Sequence, residues 1–180
     1  MHDPIMTSFL QRQREEAATL TRNSDLVEIS AHGSPADRFL VRFTCRGLVR
    51  AADGAIVEAG EFFVGITFHE DYLRVAAPWR TVTWLAPHNV WHPNIAPGVQ
   101  FICVGRMAPG TDLIDLVHQC YEIVTWNKVT MREDDALNHA ACEWARRNRG
   151  RFPVDTRPLK RRALAIEARD VSPGGAHAPA

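Results

Sequence analysis

The chain lacks a net charge, because 21 lysine and arginine residues balance 21 aspartate and glutamate residues among its 180. The positive excess that nucleic-acid-binding domains usually carry is therefore missing. No stretch approaches the roughly 18 apolar residues that a membrane span needs, and the N-terminus has no apolar run ahead of a cleavage site. We therefore expect a cytoplasmic protein that binds neither nucleic acid nor membranes.

Closely paired cysteines are also missing. The four cysteines are scattered along the chain, at Cys45, Cys103, Cys120 and Cys142. In a reducing compartment this spacing indicates free thiols rather than a disulfide framework. We expect three of them to serve only in packing.

The chain has no clear metal-ligand pattern either. Three pairs superficially look like ligands: His118 with Cys120, His139 with Cys142, and His88 with His92. Residues two apart on a helix point about 200° apart, so the first pair cannot easily bind one ion. Pro93 disfavours a helix around the last pair. We predict no metal and no cofactor.

What the chain does contain is enough apolar sequence for one domain, since 46% of its residues are hydrophobic. No internal repeat or long linker divides it. We assign residues 1–170 to a single domain. The small, Gly- and Pro-rich stretch 171–180 is predicted to be a disordered tail.

The first half of the chain predicts a helix followed by strands. An amphipathic pattern favours a helix over residues 7–23. Alternating or β-branched and aromatic residues predict strands over 26–30, 38–46, 62–68 and 81–85, which makes Cys45 an inward-facing strand residue. Asp53-Gly54 indicates a turn. Consecutive strands joined by short turns and backed by helices predict an α+β fold with an antiparallel meander.

The second half predicts helices. Thr111 is expected to cap a helix that ends by Asn127, and a further helix spans about 135–148 with Asp135 at its start. Residues 158–169 can form a short basic helix. We interpret its basic run as a solvated face, with contact to an acidic partner as the alternative.

Between these halves lies a loop that leads to Cys103. Pro93 and Pro97 fix φ and remove two donors, and Gly98 permits a sharp bend, so the loop is rigid and not helical. Asn94 can stabilise such a loop by bonding its own backbone, or its amide can act as an oxyanion donor. Cys103 is the candidate nucleophile, and a buried cysteine at a strand end is the alternative.

This loop resembles the signature of the ubiquitin-conjugating enzyme (UBC) family: His-Pro-Asn, a short loop with a glycine, then an aliphatic residue before the catalytic cysteine. The matching residues are His92-Pro93-Asn94, Gly98 and Ile102-Cys103. The segment 66–72 is similar to the family's third strand and the corner after it. The chain departs from the family in a loop one residue longer, in Met107 replacing the tryptophan of Trp-x-Pro, and in a shorter connection after the cysteine.

The resemblance implies a UBC-like fold and thioester transfer at Cys103. The protein would accept a ubiquitin-like protein from an activating enzyme and pass it to a lysine of a protein substrate, with no cofactor of its own. Asp135 matches the acidic residue that the family places near the thioester to orient and deprotonate the lysine. A plain helix cap is the alternative, and Asp134 is the substitute if the register slips. His92 is expected to organise the loop rather than to act as acid or base.

Composition rich in Ala, Arg and Pro, and divergence from the eukaryotic pattern, favour a bacterial relative. Such relatives stand in operons with an activating enzyme, a ubiquitin-like protein and a deconjugating peptidase, and these operons are associated with defence against phage. Two other classes stay open. One is a non-catalytic binding module with the same fold, and the other is an unrelated cysteine hydrolase that uses Cys103 with a distant histidine.

Overall fold

The structure is a computed structural model that describes residues 3–159. The expected tail at 171–180 and most of the expected basic helix at 158–169 lie outside the described residues. The helices are α1 (Pro4–Asn23), α2 (Pro78–Thr81), α3 (Leu113–Val124) and α4 (His139–Arg147), and the strands are β1 (Val27–Gly33), β2 (Ala36–Phe43), β3 (Gly47–Arg50), β4 (Ile56–Ala59), β5 (Phe62–Thr67) and β6 (Val82–Ala86). Two 3₁₀ turns span Glu133–Asp135 and Arg149–Arg151.

Four of the strands form one antiparallel sheet in the order β1-β2-β5-β6. Alternate residues of β2 and β5 face the core, because successive side chains of a strand point to opposite faces. The buried ones are Phe39, Val41, Phe43, Phe62, Val64 and Ile66. The predicted α+β order, an N-terminal helix followed by a four-stranded antiparallel sheet and later helices, is confirmed.

Helix α1 covers the buried face of this sheet. It begins three residues before the predicted start, because the Asp3 carboxylate accepts the Met6 N–H at 2.8 Å and Pro4 occupies the first helical position. The apolar stripe of α1 packs onto the core, and the Phe9 ring meets the Phe68 ring edge-on at 5.2 Å between centroids. Helix and sheet therefore share one apolar core.

A two-stranded sheet of β3 and β4 was not predicted and lies between β2 and β5 in the chain. The expected strand over 38–46 is wrong at its end, because β2 stops at Phe43 and the chain leaves the sheet to enter β3. Cys45 is buried as predicted, but in the connection rather than in a strand. At Gly47 an added Cβ would lie 2.6 Å from the Phe62 ring, so the close packing there requires a glycine. The Asp53-Gly54 turn joins β3 to β4.

The start of α3 differs from the prediction in its capping. The N-cap position is Asp112, not Thr111, and the Asp112 side chain does not cap the helix. Its carboxylate instead accepts hydrogen bonds from Arg12 at 2.7 Å and from Gln13 at 2.9 Å. The buried Gln13 accepts the Leu113 N–H at 2.7 Å and so replaces the cap. This exchange joins α1 to the start of α3.

A second apolar cluster lies beside the main core. It consists of Leu48, Trp91, Trp126, Ala141, Ala145 and Val154, with Trp144 and Phe152 packed against it. The Trp126 ring lies 5.4 Å from Trp144 and 5.3 Å from Phe152, measured between centroids. The cluster fixes the β3–β4 hairpin, α4 and the residue before His92 relative to one another.

Candidate functional site

The segment before Cys103 is not helical, as predicted, and forms a small hairpin that was not predicted. Ile95 pairs with Ile102, and the Ala96 N–H donates to the Phe101 carbonyl at 2.9 Å. Gly98 has φ +76°, which suits the residue after Pro97 in a tight turn. The hairpin therefore ends with Cys103 at a fixed position.

Asn94 hydrogen-bonds to both backbone polar groups of Cys103, its N–H and its carbonyl. Its carbonyl accepts the Cys103 N–H at 2.8 Å, and its Nδ2 donates to the Cys103 carbonyl at 3.4 Å. Its Oδ1 accepts the Thr130 N–H at 3.0 Å, and the residue is only 5% exposed. The structure thus gives Asn94 the loop-stabilising contacts that the sequence allowed. A carboxamide nitrogen carries two N–H groups, so one donor is left beyond the bond to Cys103.

The four cysteines differ sharply in exposure. Cys103 is partly exposed, whereas Cys45, Cys120 and Cys142 are buried. Burial raises the pKa of Cys45 to about 12 and that of Cys120 to about 12 as well, so both stay neutral thiols. A nucleophilic cysteine must be reachable and able to form a thiolate. Cys103 is the one cysteine of the four that is not buried.

His92 organises the loop and, within residues 3–159, does not hydrogen-bond to the Cys103 thiol. Its Nδ1 accepts the Asn94 N–H at 3.0 Å, and its ring meets Trp126 edge-on at 4.6 Å between centroids. The side chain is 1% exposed, and burial lowers the pKa of His92 to about 3. A neutral, enclosed imidazole cannot shuttle protons at neutral pH. This agrees with the expectation that His92 is neither acid nor base.

The segment 126–130, which no sequence pattern indicated, also supports the site. Trp126 has φ +63°, a left-handed conformation that is uncommon for a bulky residue and is retained because its ring fills the second cluster. From there, Lys128 Nζ donates to the Val104 carbonyl at 2.7 Å, and Thr130 bonds to Asn94. The only sequence signal for Lys128 is rarity, since the chain has just two lysines.

Asp135 does not begin a helix, and the prediction that it lies at a helix start is wrong. Helix α4 begins at His139, and Asn138 caps it by accepting the Ala141 N–H at 3.0 Å. The reason is a tertiary contact: the N–H groups of Leu137 and Asn138 both donate to the Pro93 carbonyl, at 2.9 and 3.1 Å. These bonds separate the 3₁₀ turn at Glu133–Asp135 from α4, with Ala136 extended between them.

Asp135 nevertheless lies close to the loop in the chain. Leu137, two residues later, donates its N–H to the carbonyl of Pro93. Its side chain is 59% exposed and forms an ion pair with Arg132 at 3.4 Å. Asp134 is in the same 3₁₀ turn. Within residues 3–159, neither carboxylate hydrogen-bonds to Cys103. The turn therefore presents acidic groups to solvent beside the loop.

Other features of a site are limited. Residues 3–159 contain no group of three or more His, Cys, Asp or Glu side chains that could hold a metal ion. In the same range, no helix combines the length and apolar character needed to cross a membrane. Comparison with models of known protein families and with curated proteins finds no match. A functional conclusion therefore depends on the loop and its surroundings.

Proposed function

We propose that this protein is a ubiquitin-conjugating type of enzyme. It accepts the C-terminal acyl group of a ubiquitin-like protein as a thioester on Cys103 and passes it to a lysine amine. The observation that supports this most is the position of Cys103: the partly exposed thiol of the chain follows directly on a loop ordered by His92 and Asn94. Packing alone requires none of these contacts.

The two chemical steps make different demands on the site. In loading, the Cys103 thiolate attacks the thioester carbonyl held by an activating enzyme, and that enzyme's thiolate leaves. In discharge, a lysine amine attacks the Cys103 thioester, and Cys103 leaves as thiolate. Asn94 supplies an amide N–H near the carbonyl oxygen in both steps. Asp135 orients the attacking amine and accepts its proton.

A cysteine hydrolase fits the structure less well. Such an enzyme needs a general base within hydrogen-bond reach of the thiol. In the described part of the chain, no histidine hydrogen-bonds to Cys103, and His92 is neutral and already engaged with Asn94. A non-catalytic binding module would have no need of an ordered loop that ends in a partly exposed cysteine. The setting we propose is a bacterial conjugation system that acts against phage.

The direct test combines the protein with a candidate activating enzyme, its ubiquitin-like partner and ATP. We expect an adduct that is seen without reducing agent and lost with it. Cys103→Ser should convert this adduct into an oxygen ester or abolish it, because only the thiol forms a thioester. The control is Cys45→Ala, which changes a buried thiol and should load normally. An adduct of Cys103→Ser that is still lost with reducing agent would contradict the proposal.

A further inference from the structure

Lys128 is the lysine nearest to Cys103 in sequence and the only one that the structure describes. The chain has two lysines, Lys128 and Lys160, and its other basic side chains are arginines. Lys128 Nζ lies 2.7 Å from the carbonyl oxygen of Val104, the residue directly after Cys103. A primary amine is therefore held against the backbone of the residue that follows the proposed acyl carrier.

Within residues 3–159, one hydrogen bond restrains this amine. Its bond to Val104 is to a neutral carbonyl, and within residues 3–159 Lys128 takes part in no ion pair with a carboxylate. The backbone of Lys128 is anchored separately, since its N–H donates to the Glu122 carbonyl at 2.9 Å. A lysine side chain is a flexible four-carbon stem, so Nζ can swing about a fixed Cα.

The chain beyond Val104 also keeps space open around Nζ. Gly105 has φ +94°, a conformation that L side chains rarely adopt, and a Cβ there would stand 3.5 Å from Nζ. Because Gly105 has no side chain, this side of Nζ is left uncovered.

We propose that Lys128 is a self-acylation site, at which the acyl group carried by Cys103 is transferred to Nζ of the same molecule. This inference rests on the proposed function. The Nζ ammonium first gives up one proton to water, and the neutral amine attacks the thioester carbonyl. The new C–N bond forms as the C–S bond breaks, and Cys103 leaves as thiolate. The nitrogen loses its second proton, which the thiolate takes up, so the products are a Lys128 amide and a free Cys103 thiol.

Two features favour this transfer over modification elsewhere. Attack within one molecule gains the large effective concentration of a neighbouring group, on the order of 10⁵ M or more when the geometry is good. Arginine side chains stay protonated and do not compete as amine acceptors. The amide would leave its acyl group beside the emptied thiol and would remove the charge that Lys128 brings to Val104. Self-acylation would therefore limit further turnover.

The test uses a small donor, so that it needs no partner protein. The full chain is mixed with the mercaptoethanesulfonate thioester of glycylglycine, which can load a reactive thiol by thioester exchange. Intact mass before and after dithiothreitol separates thioester from amide, and peptide mapping locates each adduct. The variants are Lys128→Arg, which keeps a donor for the Val104 carbonyl, and Lys160→Arg as the matched control.

We expect a dithiothreitol-labile adduct on Cys103 that converts to a resistant adduct on Lys128, at a rate independent of protein concentration. Lys160→Arg should match the wild type, and Lys128→Arg should form at least tenfold less resistant adduct. A labile Cys103 adduct that never reaches Lys128 in the wild type would overturn this inference and leave the proposed function standing. Failure of Cys103 to take up the acyl group at all would count against both.

Discussion

At the scale of single residues, Asn94 connects three separate parts of the chain. It bonds to both backbone groups of Cys103 and to the N–H of Thr130, while its own N–H is taken up by His92. These contacts use most of the hydrogen-bonding capacity of the residue inside a buried site, where an unmade bond is costly. The position of Cys103 is therefore set mainly by a neighbour nine residues earlier in the chain.

The role proposed for Asp135 predicts that its substitution affects discharge of Cys103 but not loading. Asp135→Ala should leave loading of Cys103 near normal, because thioester exchange needs no proton from an amine. Discharge onto free lysine should slow by roughly 10²-fold if general-base catalysis of ordinary size is lost. Stability should change by less than about 1 kcal/mol, since Asn138 caps α4 and the Arg132 pair is exposed. Single-turnover loading and discharge, with the thermal midpoint, measure all three.

The neighbouring Asp134→Ala serves as the control, because it removes the same charge from the same turn. An unchanged discharge rate in Asp135→Ala would exclude the proposed role. Slower discharge in Asp134→Ala alone would transfer the role to Asp134.

Burial of His92 should make stability depend on pH. Its folded pKa is about 3, below the ordinary value of 6.5, so the unfolded chain binds more protons between these values. Unfolding free energy from this group is therefore highest above pH 6.5 and falls as the pH drops toward 3, by about 1.4 kcal/mol per unit. His92→Asn, which keeps an acceptor but does not titrate, should show a shallower decline between pH 6 and 4.

Urea unfolding at several pH values measures this slope. The exposed His32 provides the comparison, since His32→Asn should decline with pH as the wild type does. Equal slopes for His92→Asn and the wild type would show that His92 is not held neutral by the fold.

At the scale of elements, the long alternating and amphipathic stretches were predictable and the short ones were not. The core-facing residues of β2 and the apolar stripe of α1 repeat often enough to show their period. Strands β3 and β4 have only four residues each, too few to show an alternation. The start of α4 is decided by two bonds to the Pro93 carbonyl, which no local pattern contains.

The residues of the candidate site also fall into those that the sequence could indicate and those that it could not. Cys103 and Asn94 could be found because they lie in one continuous loop with a specific order of residues. Lys128 and Thr130 could not, because their contacts depend on the left-handed turn at Trp126, which in turn depends on packing against distant residues. A charged residue in a loop carries no sign of such a contact.

The junction between the two sheets gives a prediction at this scale. Gly47→Ala should destabilise the fold by about 1–3 kcal/mol, because the new Cβ would lie 2.6 Å from the Phe62 ring and 2.7 Å from the Val124 carbonyl. Gly60→Ala, with no atom within 4 Å of the added Cβ, should change stability by less than about 1 kcal/mol. Midpoints of urea unfolding compare the two. Similar midpoints would show that the Gly47 contact relaxes easily.

At the scale of the whole molecule, the last described residues bind the parts of the fold together. The Asp155 carboxylate is fully buried; it accepts the Arg46 N–H at 2.9 Å and pairs with Arg157 at 2.6 Å. The Arg157 carbonyl accepts the Tyr121 hydroxyl at 2.6 Å, and the Leu159 carbonyl accepts the Ser24 hydroxyl. The segment 155–159 therefore joins the end of α1, α3 and the entry to β3.

The Asp155 side chain supports this junction and, within residues 3–159, has no hydrogen bond to the loop before Cys103. Asp155→Ala leaves the Arg46 N–H without its acceptor and Arg157 without its partner. Because Arg157 is 51% exposed and can be solvated, we expect a loss of about 2 kcal/mol rather than the larger cost of an isolated buried charge. Asp155→Asn, which keeps an acceptor for Arg46, should lose less. Urea unfolding measures both losses.

The same variant should open the fold locally at Cys45 and not at the candidate site. Cys45 is buried close enough to Asp155 for that carboxylate to help raise its pKa, after burial itself. Loosening of the segment 155–159 should therefore expose this thiol, since unfolding of one unit can occur without the rest. Labelling with iodoacetamide, read by peptide mass, should show Cys45 reacting at least several-fold faster in Asp155→Ala. The Asp155 backbone carbonyl, which accepts the Asn127 side-chain amide at 3.1 Å, is kept in this variant. Cys103 should therefore stay held by Asn94 and by the segment 126–130, and should react at the wild-type rate. If the labelling rates of both thiols rise equally, the segment 155–159 stabilises the molecule as one unit and the candidate site has no separate support.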